Sequence, residues 1–141
     1  MLNSLIKSIS KVFGGSKSEK DVAQLMPLVA RINQWFDEYN NLTHDELRAK
    51  TAEFRQRISE GLQDIDDRIS AIKSEIDQLT PDDVIEKDNL YSDIEKLDKD
   101  RDVALEKILM DLLPEAFAVV KQTAKRFSEN EKIEVSASDF D

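Results

Sequence analysis

A heptad repeat of aliphatic residues in the middle of the chain constrains its fold more than any other feature. The aliphatic positions alternate steps of four and three residues: Ile58, Leu62, Ile65, Ile69, Ile72, Ile76 and Leu79. A second set continues with the same steps after a turn signal: Leu90, Ile94, Leu97, Arg101, Ala104 and Ile108. This spacing is typical of a coiled-coil seam, so the two sets predict an antiparallel helical hairpin.

The turn between the two sets is predicted at Thr80-Pro81-Asp82-Asp83. A threonine N-cap, a proline at the first helical position and two carboxylates are typical of a helix N-terminus, so we expect the second arm to start here with Thr80 as its N-cap. Arg101 occupies a seam position, where it either reduces packing or selects the register.

Composition favours helices throughout the chain. Only three glycines and three prolines occur in 141 residues, too few for a sheet protein with many turns, and 35% of the residues are charged, which leaves little for a deep core. The chain has no cysteine, which excludes disulfides and thiolate metal sites. We therefore predict an all-α fold with a small helical base, a projecting antiparallel coiled-coil hairpin and a hinged N-terminal amphipathic helix.

Helical stripes flank the hairpin on both sides. The first predicts a helix from Val22 to about Asn40, with Pro27 tolerated if it falls in the first turn. Its inward positions step by three and four: Val22, Leu25, Val29, Ile32, Phe36 and Tyr39. A capping box at Thr43 and Glu46 starts the next helix, with an inward face of Leu47, Phe54 and Ile58.

A last helix is predicted to start at Pro114, because proline disfavours a continuous helix through Leu113. Its residues Phe117, Val120, Ala124 and Phe127 form one apolar stripe. Residues 128–141 lose this period and indicate a linker or frayed tail.

The first residues form a separate amphipathic pattern. Apolar side chains recur at helical spacing: Leu2, Leu5, Ile6, Ile9, Val12 and Phe13. Gly14 and Gly15 should end this helix, and residues 16–21 form a polar hinge. The stretch is too short and too charged for a membrane span, and no cleavage site follows it.

Charge is unevenly distributed. Residues 59–111 hold 17 acidic and 7 basic side chains and account for the whole net charge of -10. An acidic middle argues against nucleic-acid binding. The first twenty residues instead carry four lysines and one acid, Glu19.

Three segments resemble the start of the SecA preprotein translocases: MLNSLIKSISKVFG, LTHDELRAKTAEFRQRI at residues 42–58 and LLPEAFAVVKQTAKR at residues 112–126. In most SecA proteins the last two lie close together, so the hairpin resembles a lineage-specific insertion. The resulting organisation is a tether and hinge (1–21), a first part of the base (22–58), the hairpin (59–111), a closing helix (112–127) and a linker or disordered tail (128–141).

The resemblance implies a motor that uses ATP and magnesium to drive preproteins through the SecYEG translocon, in the bacterial cytoplasm and on the cytoplasmic face of the inner membrane. The family's nucleotide motifs lie further along the chain, and no phosphate loop occurs here. We therefore expect no catalytic, cofactor-binding or metal-binding residue in these 141 residues.

The resemblance also implies membrane and translocon contact by the first segment, because basic residues beside an apolar face favour anionic lipids. The residues expected to make this contact are Leu5, Ile6, Lys7, Ile9, Lys11, Phe13, Lys17 and Lys20. The alternative is that the same apolar face docks on the protein's own core or on further domains.

Other features have simpler interpretations. His44 is expected to be an exposed helix-start residue, and Trp35 and Phe36 are expected to pack in the core. The hairpin is either a rigid spacer or a surface for another protein or a second copy in a homodimer. The rival to the SecA interpretation is a stand-alone coiled-coil adaptor or scaffold.

Overall fold

A computed structural model describes residues 17–137 and Asp139. Within these residues the chain forms three α-helices and no strand: α1 spans Lys17–Glu38, α2 spans His44–Ile76 and α3 spans Val84–Glu129. A 3-10 helix, Tyr39–Asn41, lies between α1 and α2. The all-α prediction is confirmed for this part of the chain. The amphipathic helix predicted over residues 2–13 lies outside it.

Helices α2 and α3 form the predicted antiparallel hairpin. The Gly61 backbone approaches Ile108, and Asp66 pairs with Arg101, so later residues of α2 meet earlier residues of α3. The heptad aliphatics face the partner helix, and four of them are buried: Leu62, Ile69, Ile76 and Leu97. Full burial of such side chains stabilises the hairpin by roughly 1.5–3 kcal/mol each.

Gly61 lies where the two helices approach closely. A Cβ atom at this position would stand 2.6 Å from Ile108 Cδ1, inside normal contact distance. The missing side chain therefore makes room for Ile108, and α2 continues through Gly61 without interruption.

The Arg101 side chain pairs with an acidic residue of α2 and does not pack in the apolar seam. Its Nε donates to Asp66 Oδ1 at 2.6 Å, and Nη2 lies 3.4 Å from Oδ2. The hydrogen bond and the positive charge hold the pKa of the Asp66 carboxyl below its ordinary value. This pair fixes one register of the hairpin from outside its apolar seam.

The hairpin turn differs from the prediction, because Thr80 is not the N-cap of α3. Asp83 occupies that position, and α3 begins at Val84. The Asp83 carboxylate accepts hydrogen bonds from Thr80 N at 2.9 Å and from Thr80 Oγ1 at 2.7 Å. Since the carboxylate closes the turn, Pro81 and Asp82 stay outside the helix.

The helix break predicted at Pro114 is wrong. Helix α3 runs through it without interruption for 46 residues. The proline ring is fully buried, and packing offsets part of the cost of the lost backbone donor. Met110, whose carbonyl loses that donor, is 58% exposed, so water can reach this turn.

Helix α1 begins earlier than predicted. It starts at Lys17, inside the predicted hinge, so that Pro27 lies in the helix interior rather than in its first turn. Glu19 lies in the first turn, where a carboxylate interacts favourably with the helix dipole. Pro27 is on an exposed part of α1, where water can satisfy the carbonyl that it leaves without a donor.

The base is where α1 and the 3-10 helix pack against the ends of the hairpin. Lys121 donates to Asn33, and Lys125 donates to Asn40, so α1 runs in the same direction as α3. Three residues form the buried apolar core: Tyr39, Leu47 and Ala118. Four partly buried residues pack against them: Trp35, Phe36, Leu42 and Val119. Core packing of Trp35 and Phe36 is confirmed.

Candidate functional site at the helical base

A buried carboxylate joins three elements of the base. Glu115 of α3 is only 5% exposed. It accepts a hydrogen bond from the Tyr39 hydroxyl at 3.1 Å and two from Arg57 Nη1, at 2.9 and 2.8 Å. A buried carboxylate is costly unless it is paired and hydrogen-bonded, and both conditions are met here. The group therefore holds the 3-10 helix and α2 in one arrangement against α3.

The phenol of Tyr39 is strongly affected by this environment. Burial, followed by the negative charge of Glu115, raises the pKa of the Tyr39 hydroxyl well above its ordinary value. Tyr39 therefore stays neutral and keeps its proton for donation to Glu115. This behaviour is typical of a structural hydrogen-bond donor and not of a proton-transfer group.

Two further side chains of α3 donate to backbone carbonyls at the end of α1 and in its connection to α2. Gln122, which is 1% exposed, donates to the carbonyl of Phe36 at 2.5 Å. Arg126 donates to the carbonyls of Tyr39 at 3.2 Å and Leu42 at 2.7 Å. Helix ends leave carbonyls without intrahelical donors, so these side chains stabilise the connection between α1 and α2.

His44 starts α2, as predicted, but it is half-buried and not exposed. Its Nδ1 lies 3.1 Å from Arg126 Nη1, so the ring accepts this hydrogen bond when Nδ1 carries no proton. The contact gives His44 a place in the packing of the base. Among the residues that the structure describes, no group of His, Cys, Asp and Glu side chains could hold a metal ion.

The chain after α3 folds back onto the start of α2. Residues 130–137 form no helix or strand. Ser136 N and Oγ donate to the two Asp45 carboxylate oxygens at 2.9 and 2.8 Å, and Arg48 donates to the Ser136 carbonyl at 3.1 Å. The two bonds from Ser136 hold the pKa of Asp45 below its ordinary value. These contacts fix the direction in which the chain leaves the base.

One face of α1, here called the α1 stripe, is apolar and exposed. It consists of Val22, Leu25, Met26 and Val29, which are 55%, 56%, 56% and 40% exposed. The prediction that Val22, Leu25 and Val29 face inward is wrong, because only the second half of α1 lies against the core.

A second exposed face, the α3 stripe, consists of Phe117, Val120 and Phe127, which are 53%, 65% and 67% exposed. The apolar stripe predicted for this helix, which also includes the exposed Ala124, therefore faces solvent and not the core. The neighbouring face of α3 is buried instead: Leu112, Glu115, Ala118 and Gln122. Contiguous exposed apolar side chains mark interaction surfaces.

The structure describes only two of the eight residues predicted to contact the membrane. Lys17 is the first residue of α1, and Lys20 is exposed on its first turns. The other six lie outside the described residues: Leu5, Ile6, Lys7, Ile9, Lys11 and Phe13. In the part of the chain that is described, no helix is long and apolar enough to cross a membrane.

The polar group of Tyr39, Arg57 and Glu115 is not predicted by the sequence pattern. Glu115 follows Pro114, at which the sequence predicts the start of a new helix. The available signal was its spacing from Leu112 and Ala118, which places Glu115 on the same helical face as two small or apolar residues.

A family described as the SecA DEAD-like domain matches residues 9–137. The chain belongs to this SecA family. The match extends over α1, the whole hairpin and the base, and thus confirms the resemblance of the flanking segments and places the hairpin inside the matched region.

Similar proteins include three translocase subunits named SecA. The protein from Christiangramia forsetii is 42% identical over 138 residues, which is 98% of this chain. The SecA proteins of Flavobacterium psychrophilum and Porphyromonas gingivalis are 42% and 37% identical over 96% and 94% of the chain. The chain spans about 12% of the length of each of these relatives. No solved structure matches it.

Proposed function

We propose that this chain is the N-terminal helical part of a SecA-type motor for preprotein translocation, and that it supplies membrane and translocon attachment rather than catalysis. The observation that carries the proposal is the family match over residues 9–137. It is supported by relatives that bear the name of a protein translocase subunit.

The arrangement of the base supports a place within a larger motor protein. The buried group around Glu115 fixes the helices relative to one another, while the α1 and α3 stripes leave large apolar side chains exposed. A rigid scaffold with exposed apolar faces is suited to packing against other domains of a larger protein. ATP and magnesium would act in those domains, since the phosphate-loop pattern is absent from this sequence.

The proposed partners follow from the first segment of the chain. Residues 1–20 combine an apolar stripe with four lysines and a single acid. Such a segment binds anionic lipid surfaces through burial of its apolar face and attraction of its lysines, by about 1 kcal/mol for each lysine near the surface. We propose attachment at the cytoplasmic face of the inner membrane, next to the SecYEG translocon.

Co-flotation with lipid vesicles tests this attachment. The chain should float with vesicles that contain anionic lipid and bind much less to neutral vesicles. Changing Lys7, Lys11, Lys17 and Lys20 to Gln together should remove most of this difference, because the electrostatic attraction is lost.

The matched control changes four lysines of α3 to Gln: Lys87, Lys96, Lys99 and Lys107. This variant has the same net charge as the first and should still float with anionic vesicles. Equal binding by the native chain and the N-terminal variant would contradict the electrostatic part of the proposal.

A further inference from the structure

The segment that follows α3 is held to the base by a small set of contacts. We propose that residues 130–137, here called the strap, open and close as a unit while the three helices stay folded. In the closed form, Asp45 and Arg48 of α2 hold Ser136 of the strap. Neither a membrane nor a translocon is needed for this movement.

Three polar atoms of Ser136 are bound by two residues of α2, in an arrangement here called the grip. Asp45 accepts hydrogen bonds from Ser136 N at 2.9 Å and from Ser136 Oγ at 2.8 Å. Arg48 donates to the Ser136 carbonyl at 3.1 Å. Asp45 and Arg48 are three residues apart on α2, so they are neighbours on the helix surface. The grip therefore fixes one residue of the strap at the first turns of α2.

The packing beneath the strap is loose. Ile133 and Val135 form one wall of a groove, whose other walls include Leu47 of α2 and Val119 of α3. The groove keeps a free volume of about 310 Å³. Protein interiors leave few voids larger than a water molecule, so the side chains that line this groove lack part of their dispersion contacts. The apolar contacts of the strap therefore add little to the stability of its closed form.

The strap has the properties of a segment that opens separately from the helices. Its residues form no helix or strand, and all three hydrogen bonds of the grip are exposed. Segments with exposed hydrogen bonds and few buried apolar contacts open at a lower cost in free energy than the whole domain. Helices α2 and α3 differ, because they bury heptad aliphatics along their seam. The strap should therefore open far more often than the hairpin does.

The start of the strap is tied to α3 independently of the grip. Asn130 is the C-cap of α3 and has an extended backbone. Its backbone N and its Nδ2 donate to the carbonyl of Arg126 at 3.1 and 2.9 Å. These two bonds remain when the grip on Ser136 is lost. The chain therefore pivots just after Asn130.

Opening of the strap changes how the parts of the base are connected. The closed strap joins the end of α3 to the first turns of α2, whereas the open strap is held by α3 alone. Opening also removes Ile133 and Val135 from the groove, so that Leu47 and Val119 gain contact with water. The grip therefore couples the direction of the strap to the position of α2.

Native-state proteolysis with trypsin tests this movement in the 141-residue chain. Cleavage after Lys132, inside the strap, follows the population of the open form when opening and closing are fast relative to cleavage. Ser136→Ala and Asp45→Asn each weaken the grip and should each raise this rate at least threefold. Cleavage after Lys99, in the middle of α3, should change by less than 1.5-fold. The control Asp37→Asn makes the same chemical change at an exposed residue of α1 and should alter neither rate.

Each result decides the proposal. Equal cleavage after Lys132 in the native chain and in both grip variants would overturn it. A parallel rise after Lys99 would show that the helices unfold together with the strap, which also overturns the separate movement. The double variant of Asp45→Asn and Ser136→Ala should be cleaved more slowly than the product of the two single effects, because both residues share one contact. Full multiplication of the two effects would overturn the grip.

Discussion

The hairpin arm (residues 59–111) and the base bury different kinds of residue. In the arm, the buried side chains are heptad aliphatics such as Leu62 and Ile69. In the base, the buried set includes Glu115 and Gln122, while Phe117 remains half exposed to solvent. Two helices that pair along one seam need only one apolar stripe each. A site where several elements and their connections meet must also satisfy the polar groups of helix ends, so polar side chains enter its interior.

The arm and the base also differ in the interactions that stabilise them. The arm is stabilised mainly by removal of apolar surface from water, which does not depend on direction. The base depends in addition on a charged group whose partners must all be present, because loss of one partner leaves the others buried and unsatisfied. Substitutions in the two regions should therefore lower the free energy of unfolding for different reasons and by different amounts.

The largest effect is expected from Leu62→Ala in the arm. Leu62 is 3% exposed, and its truncation leaves a cavity in the seam, so the free energy of unfolding should fall by about 3 kcal/mol. Urea denaturation measures this change. The control, Leu109→Ala, removes the same atoms from a residue that is 47% exposed and should cost much less. Equal losses would show that the seam does not carry the stability of the arm.

A somewhat smaller effect is expected from Arg57→Ala in the base. The substitution leaves the Glu115 carboxylate buried with only the Tyr39 hydroxyl as its partner, and should cost about 2 kcal/mol because Arg57 itself is partly exposed. The exposed Arg55 on the same helix provides the control, and Arg55→Ala should have little effect.

Adding the substitution Glu115→Gln to Arg57→Ala distinguishes an effect of the unpaired charge from an effect of packing on the free energy of unfolding. If the cost of Arg57→Ala arises from an unpaired charge, then adding Glu115→Gln should recover part of the lost stability, as a double-mutant cycle would measure. A double variant less stable than Arg57→Ala alone would contradict the charge explanation. It would indicate that the base, like the arm, is stabilised mainly by packing.

The smallest effect is expected from Val120→Ser on the α3 stripe. Val120 is 65% exposed, so the free energy of unfolding should change by less than about 0.5 kcal/mol. Thermal unfolding compared with Val103→Ser, at a residue that is 69% exposed in the arm, measures it. A loss above about 1 kcal/mol would show that Val120 is packed inward.

The sequence predicted the parts of the fold that depend on local patterns. The capping box is present, with Thr43 N donating to Glu46 Oε2 at 2.7 Å and Glu46 N donating to Thr43 Oγ1 at 3.2 Å. The hairpin also follows its heptads. These features need only residues that are close in sequence or one repeated stripe, so that local chemistry determines them.

The features that the sequence did not predict depend on tertiary packing. Pro114 breaks an isolated helix, but burial of its ring keeps α3 continuous here. The sequence of α3 allows either of two faces to pack in the base. The positions of α1 and α2 determine that the face with Ala118 is buried. Tyr39 and Glu115 are 76 residues apart, so no local pattern indicates that they meet.

The uninterrupted course of α3 gives the molecule a mechanical property. Its 46 residues extend roughly 69 Å from the hairpin turn to the base, where Arg126 contacts the 3-10 helix. A load applied at the tip is carried along one rod to the base, with no flexible joint at Pro114 to absorb it. A small rotation at one end is therefore converted into a large sweep at the other, as in a lever.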